Sequence, residues 1–94
     1  MLMYLMDELF RELVPILKKM PTDEKAKAVK LTEEIKEKIE VSNNAFEICN
    51  WYASNEKMRN RIDEFMNNSD PYVKEFGASA HWLLTKGPYF YSDD

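Results

Sequence analysis

Apolar residues recur at helical intervals along most of the chain, and this pattern predicts its secondary structure. Near the N-terminus, one set of apolar positions is spaced by alternating steps of four and three residues: Leu2, Met6, Leu9, Leu13, Ile16 and Met20. Such spacing brings side chains onto one face of an α-helix, so residues 1–20 are predicted to form an apolar N-terminal helix. Because Pro15 removes a helix hydrogen bond at a cost of about 3 kcal/mol, we expect a kink or a break near residues 12–15.

The middle of the chain predicts a helical segment over residues 22–54, which is either one continuous helix or bent. Thr22 is expected to cap its start, because a threonine hydroxyl can accept a hydrogen bond from the first helical turn. Residues 42–44 include two asparagines, which are weak helix formers, so a local irregularity is expected there. The apolar positions that are predicted to be buried are Ala28, Leu31, Ile35 and Ile39.

The last third of the chain predicts a helical hairpin over residues 55–87. Ser54 or Asn55 is expected to cap its first helix. Asp70 followed by Pro71 is a strong signal for the start of the second helix, since aspartate is favoured at the N-cap and proline at the first helical position.

The chain after the hairpin is predicted to be an aromatic and acidic tail. Gly87 and Pro88 are expected to end the preceding helix near Lys86, because glycine and proline commonly follow a helix C-terminus. Residues 88–94 would then be extended, and their aromatic side chains would not all fit on one side of the chain.

These segments together predict a single all-α domain over residues 1–94, a small bundle of four to five helices. The chain has only two glycines and four prolines, which leaves few of the turns that a β-sheet protein needs. Apolar residues make up 45% of the sequence, which is enough for one modest core.

Residues 57–87 resemble a HEAT-like repeat, in which the second of two antiparallel helices often begins Asp-Pro-x-Val-Arg and continues with spaced alanines and a leucine. The matching residues here are Asp70, Pro71, Val73, Lys74, Ala78, Ala80 and Leu84, and Gly77 stands where a small residue is usual. The resemblance implies a C-terminal helical hairpin and a protein-binding scaffold. It implies no catalytic residue.

Charge and composition narrow the classes of function. The net charge is −4, and charges of both signs are mixed along the chain, which argues against direct binding of nucleic acid. The single cysteine, Cys49, cannot form an internal disulfide, so a reducing compartment is expected. No apolar run approaches the roughly 20 residues of a membrane span, and no signal peptide is evident, so the predicted localisation is cytoplasmic.

Residues with catalytic or metal-binding potential are few. The chain has no glycine-rich phosphate loop and no paired ligand spacing for zinc, so neither a cofactor nor a metal is expected. Cys49 and His81 would form a nucleophilic pair only if the fold brought them together. A buried structural cysteine and a structural or surface histidine are the simpler interpretation, so we predict that the protein is not an enzyme.

The function predicted from these observations is a small non-enzymatic protein-interaction module, either an adaptor or an inhibitor. One version is a phage or mobile-element inhibitor of a host defence or nucleic-acid enzyme, because the abundance of lysine and asparagine suggests an AT-rich genome. The residues predicted to bind a protein partner are Leu2, Met6, Leu9 and Leu13 of the N-terminal stripe, and Tyr89, Phe90, Tyr91, Asp93 and Asp94 of the tail.

Self-association through the same N-terminal stripe is also expected, because its apolar residues cover more than one helix face. An alternative function is a helical oligomer that binds or sequesters a small ligand such as a nucleotide, held by Tyr4, Lys18 and Lys19. A small enzyme that uses Cys49 or His81 is the third possibility.

Overall fold

The computed structural model describes residues 3–90, which fold into six helices. They are α1 (Met3–Leu17), α2 (Thr22–Val41), α3 (Ala45–Ser54), α4 (Glu56–Met66), α5 (Pro71–Thr85) and α6 (Gly87–Phe90). No strand occurs within these residues, so the prediction of an all-α bundle is confirmed. Two features raise the number of helices above the expected four to five: the middle segment is divided, and the start of the tail is helical.

The first helix continues through Pro15 from Met3 to Leu17, so the alternative of a break near residues 12–15 is wrong. Leu13 and Ile16, on either side of the proline, are buried. Burial of one leucine or isoleucine side chain contributes about 1.5–3 kcal/mol. The buried face of the helix therefore offsets the hydrogen bond that Pro15 removes.

The middle segment is bent, because α2 ends at Val41 and α3 begins at Ala45. At the corner, Ser42 is buried and its hydroxyl donates to the Lys38 carbonyl at 2.6 Å. The Asn44 side chain caps α3 by accepting a backbone N–H from its first turn. The irregularity predicted at residues 42–44 is therefore confirmed. Its polar side chains hydrogen-bond to one backbone carbonyl at the end of α2 and to one backbone N–H at the start of α3.

The predicted cap at the start of α2 is wrong. Thr22 is the first residue of the helix, and Pro21 occupies the N-cap position without any side-chain hydrogen bond. Asp23 and Glu24 follow in the first turn, where negative charge interacts favourably with the positive end of the helix dipole. Carboxylates in the first turn thus take the place of a hydroxyl cap.

The helical hairpin predicted in the last third consists of α4 and α5, which pack more extensively on each other than any other pair. Asn55 caps α4, and the Asp70 carboxylate caps α5 by accepting two backbone N–H groups. Gly77 allows the two helices to approach closely, because a Cβ atom there would lie 2.6 Å from the Met66 backbone nitrogen. The resemblance to a helical hairpin is thus confirmed at the level of geometry.

The end of the hairpin differs from the prediction of an extended tail. Helix α5 does end at Thr85, close to the expected position, but Gly87 and Pro88 begin the short helix α6. Proline is tolerated in a first helical turn because its missing N–H would have no intrahelical partner there. The extended conformation predicted for the tail is therefore wrong for the part within α6, and residues 91–94 lie outside the described part of the chain.

Helix α5 forms the centre of the bundle and contacts α1, α3, α4 and α6, while α1 also packs on α2. No helix between residues 3 and 90 combines the length and the apolar character that crossing a membrane requires. The largest fully buried side chains are Leu5, Leu9, Leu13, Leu31, Ile35, Ile39, Ile48, Met58, Ile62, Phe76 and Leu83.

Candidate functional site

The N-terminal stripe lies mainly in the core. Leu9 and Leu13 are fully buried, and Met6 is half-buried against the same cluster. Leu2 lies outside the described residues. Leu9 and Leu13 therefore contact a partner only if the fold opens, and the surface that α1 offers to solvent consists of other residues.

That exposed surface of α1 includes Met3, Tyr4 and Phe10. Lys18 and Lys19 follow the opposite end of the helix, about 20 Å from Tyr4 at 1.5 Å per residue. The structure therefore does not bring together the three residues predicted to hold a nucleotide.

The Lys19 ammonium instead lies 5.7 Å from the ring centroid of Tyr72, at the start of α5. This is a cation–π contact, which at an exposed site is worth about 0.5–1 kcal/mol. It joins the end of α1 to the start of α5, and so gives Lys19 a structural contact within the chain.

A second exposed surface is formed by Phe46, Cys49 and Tyr89, and we call it the α3–α6 surface. Phe46 lies one helical turn before Cys49 on α3, and α6, which carries Tyr89, packs on α3. Phe46 is 64% exposed and Tyr89 is 62% exposed. Two exposed rings thus belong to two helices that pack on each other, and the half-buried Cys49 lies on the first of them.

Of the predicted tail residues, Tyr89 is the one whose side chain the structure describes. Phe90 is the last residue of α6. Tyr91, Asp93 and Asp94 lie outside the described residues, so their predicted contacts with a partner stay predictions. Phe46 was missed by sequence reasoning, because its position in the helical repeat suggests the buried face of a continuous helix; the bend before α3 changes which face is covered.

The Cys49 thiol is in an environment that disfavours a nucleophilic role. Burial raises its pKa, and the Tyr89 hydrogen bond opposes this effect only in part. Its Sγ also lies 3.8 Å from the Thr85 carbonyl, to which it donates a weak hydrogen bond. A catalytic cysteine needs the opposite environment, one that lowers the pKa and favours the thiolate.

His81 has a different partner. Its Nδ1 lies 3.1 Å from the Tyr52 hydroxyl, and the two rings meet edge to face with centroids 5.9 Å apart. Tyr52 is one turn after Cys49 on α3, while His81 is one turn before Thr85 on α5. Cys49 and His81 therefore belong to two successive contacts between the same helices, and the structure does not join them as a nucleophile and its base.

We predict that the thiol of Cys49 reacts slowly with iodoacetamide at neutral pH. Because burial raises its pKa, the rate of alkylation should rise with pH to a midpoint above that of the same protein unfolded in urea. Replacing Tyr89 with phenylalanine removes the hydrogen bond that lowers this pKa, so the midpoint should move further up. The pH profile of alkylation, read by mass spectrometry, tests both shifts, and a folded midpoint below the unfolded one would contradict the described environment.

A groove between α2 and α4 has a volume of about 510 Å³. We call it the α2–α4 groove. Four cations line it together with three carboxylates, one aromatic ring and one amide: Lys27, Lys30, Lys57, Arg61, Glu24, Glu34, Glu64, Phe65 and Asn68. The sequence does not reveal this groove, because nothing in it indicates that α4 lies opposite α2.

An ion pair crosses the groove. The Arg61 guanidinium donates to both oxygens of Glu34, at 3.0 and 2.6 Å. This hydrogen bond lowers the pKa of Glu34 and outweighs the effect of partial burial, and the charges of Lys30 and Lys57 add to the lowering. This bidentate contact joins α2 to α4, and Lys36 and Glu40 form a further ion pair within α2 at 3.6 Å.

A pair of carboxylates on α1 is the third polar feature. Glu8 is buried and bound to Arg11 at 3.1 Å. Burial raises the pKa of Glu12, and a hydrogen bond with Glu8 and the charge of Glu75 act in the same direction. Within residues 3–90, no group of three or more histidine, cysteine, aspartate or glutamate side chains is placed to hold a metal ion.

Comparison with known proteins gives no match: no family model, no curated protein and no solved structure is similar to the chain. The HEAT-like resemblance of residues 57–87 therefore rests on the sequence pattern alone.

Proposed function

We propose that the protein is a small non-enzymatic protein-interaction module, an adaptor or an inhibitor, that binds its partner through the α3–α6 surface. The observation that carries this proposal is the exposure of Phe46 and Tyr89, each of which is more than half exposed on two helices that pack on each other. Aromatic side chains dominate the energetics of protein interfaces, because they bury a large area with few rotatable bonds.

These two rings contribute little to the fold, so folding alone does not explain them. Burying an aromatic side chain is worth about 1.5–3 kcal/mol, and the folded chain forgoes most of that energy at both Phe46 and Tyr89, since both are more than half exposed. A partner with an apolar recess would recover it. This argument supports an interaction role and makes no use of a catalytic group.

The partner that fits this surface is a protein with a basic rim around an apolar recess. The chain carries a net charge of −4, and Asp93 and Asp94 follow Tyr89 within five residues. Opposite charges around an apolar contact raise the rate of association and select the correct orientation. Enzymes that handle nucleic acid have basic surfaces, so an inhibitor of a host defence or nucleic-acid enzyme, encoded by a phage or mobile element, is the version we favour.

The prediction that tests this proposal compares two pairs of exposed aromatics. The double variant F46S/Y89S should lose affinity for the partner by at least about tenfold, because interface hot spots cost 2 kcal/mol or more when truncated. The matched control Y4S/F10S removes one tyrosine and one phenylalanine from the exposed face of α1 and should bind normally. Both variants should keep the melting temperature, since exposed substitutions change stability by about 0.5 kcal/mol or less.

The measurement has two stages. A protein captured from a host lysate by the wild type is identified and purified, and its dissociation constant is then measured for the wild type and both variants at low and high salt. Loss of binding in the control pair with full binding in F46S/Y89S would place the interface on α1 and contradict the proposal. Sedimentation of the free protein at several concentrations tests the separate prediction of self-association.

A further inference from the structure

The protein is acidic overall, but cations outnumber carboxylates in the lining of the α2–α4 groove. We propose that this groove is a binding site for a small phosphate monoester. It is distinct from the α3–α6 surface, because its lining comes from α2, α4 and the residues that follow α4.

The cations of the groove stand in two facing rows. Lys30 and Glu34 are four residues apart on α2, and Lys57 and Arg61 are four residues apart on α4. Side chains separated by four residues lie on one face of a helix. Because Arg61 binds Glu34 across the groove, the two lysines are held as neighbours of the same ion pair, one from each wall.

The lining of the groove carries a net charge of +1, because it has four cations and three carboxylates. Lys27 is bound to Glu24 at 3.9 Å, and Arg61 is bound to Glu34. Within residues 3–90, Lys30 and Lys57 form no ion pair, and Glu64 is the one lining carboxylate that is not bound to a cation. An incoming phosphate would therefore meet two ammonium groups outside any ion pair beside the guanidinium, with the Glu64 carboxylate in the same lining.

The groove also presents the donors that a phosphate group requires. A guanidinium has five N–H donors, and the contact with Glu34 uses one nitrogen for each carboxylate oxygen, so further N–H groups of Arg61 are free. The oxygen of the Asn68 side chain accepts from the Asp70 backbone N–H, which leaves its NH₂ group to donate. Three phosphate oxygens could thus be bound by Lys30, Lys57 and Arg61, with Asn68 at one end.

The size and the lining of the groove favour a small ligand. Its volume of about 510 Å³ lies in the range of about 300–1,000 Å³ that is typical of small-molecule sites. Phe65 contributes little exposed area, since it is 5% exposed. The groove therefore has no large stacking surface, and a compact polar body such as a phosphorylated sugar suits it better than an extended aromatic one.

The experiment is calorimetric titration of the whole protein in phosphate-free buffer with ribose 5-phosphate, inorganic phosphate and unphosphorylated ribose. The first two should bind and the third should not. The variant K30Q/K57Q should raise the dissociation constant by about tenfold for each lysine, because each change removes a charged hydrogen-bond donor; tenfold corresponds to about 1.4 kcal/mol. The matched control K74Q/K86Q makes the same change in net charge at two exposed lysines outside the groove and should bind as the wild type does.

Mapping of amide chemical shifts during the titration with ribose 5-phosphate gives the location. Shifts concentrated around Lys30, Lys57 and Arg61 support the proposal, and shifts confined to another surface overturn it. Equal loss of affinity in both variants would mean that overall charge drives binding, and no binding of either phosphate at millimolar concentration would mean that the groove holds no such ligand. Either result overturns the proposal, and neither affects the α3–α6 surface.

Discussion

Replacing Leu9 with alanine should lower the free energy of unfolding by about 2–5 kcal/mol, the usual cost of truncating a buried leucine. Leu9 is fully buried in the cluster that α1 forms with its neighbours, so the variant loses apolar contact and leaves a cavity. For a domain of this size, such a loss lowers the melting temperature by roughly 10 °C or more, since 1 kcal/mol corresponds to about 4–8 °C. Urea unfolding followed by circular dichroism measures the change.

The adjacent residue supplies the matched control. Phe10 is exposed, so Phe10→Ala should change the free energy of unfolding by no more than about 0.5 kcal/mol. If α1 were instead covered by a second copy of the chain, the melting temperature of the wild type would rise with protein concentration. A small loss in Leu9→Ala together with such a concentration dependence would show that the N-terminal stripe belongs to an interface between copies and not to the core of one chain.

Replacing Gly77 with alanine should destabilise the protein by about 1–3 kcal/mol, the cost of forcing an extra carbon into a well-packed contact. The added Cβ would lie 2.6 Å from the Met66 nitrogen and 2.8 Å from the Phe65 Cβ, so α4 would have to move. Alanine favours the helix by about 1 kcal/mol over glycine, and the predicted loss is what is left after that gain. Thermal unfolding followed by circular dichroism measures it.

Gly87→Ala is the control for this second prediction. A Cβ there would meet the end of the Leu5 side chain at 3.3 Å and other side-chain atoms at longer distances, and flexible side chains can yield by a few tenths of an ångström. Its φ is not positive, so alanine fits the backbone. We expect a change well below that of Gly77→Ala, and a larger loss in Gly87→Ala than in Gly77→Ala would contradict the described packing of α4 on α5.

Local signals in the sequence predicted those parts of the fold that local chemistry determines. Asp70 and Pro71 started α5 as expected, because the carboxylate cap and the proline act within one turn. The asparagines near residue 43 predicted the corner between α2 and α3, because their weak helix propensity and the cap that Asn44 forms also act within one turn. The break predicted at Pro15 does not occur, because burial of α1 against other helices offsets the hydrogen bond that the proline removes. No local sequence pattern indicates that burial.

The candidate sites were less predictable, since they depend on which helices become neighbours. The spacing of Lys30 with Glu34 and of Lys57 with Arg61 is visible in the sequence. That these two rows face each other across a groove follows only from the three-dimensional packing. The same holds for Phe46, whose exposure depends on how α3 turns after the corner.

The packing of α1 on α5 has a consequence for the synthesis of the protein. Helix α1 leaves the ribosome before α5, which packs on it and ends only at Thr85. At about 5–20 residues per second, on the order of several seconds pass before α5 can dock. During that time Leu5, Leu9 and Leu13 lack the cover that α5 provides. The interval in which the nascent chain is open to aggregation or to chaperones is therefore set by the distance in sequence between α1 and α5.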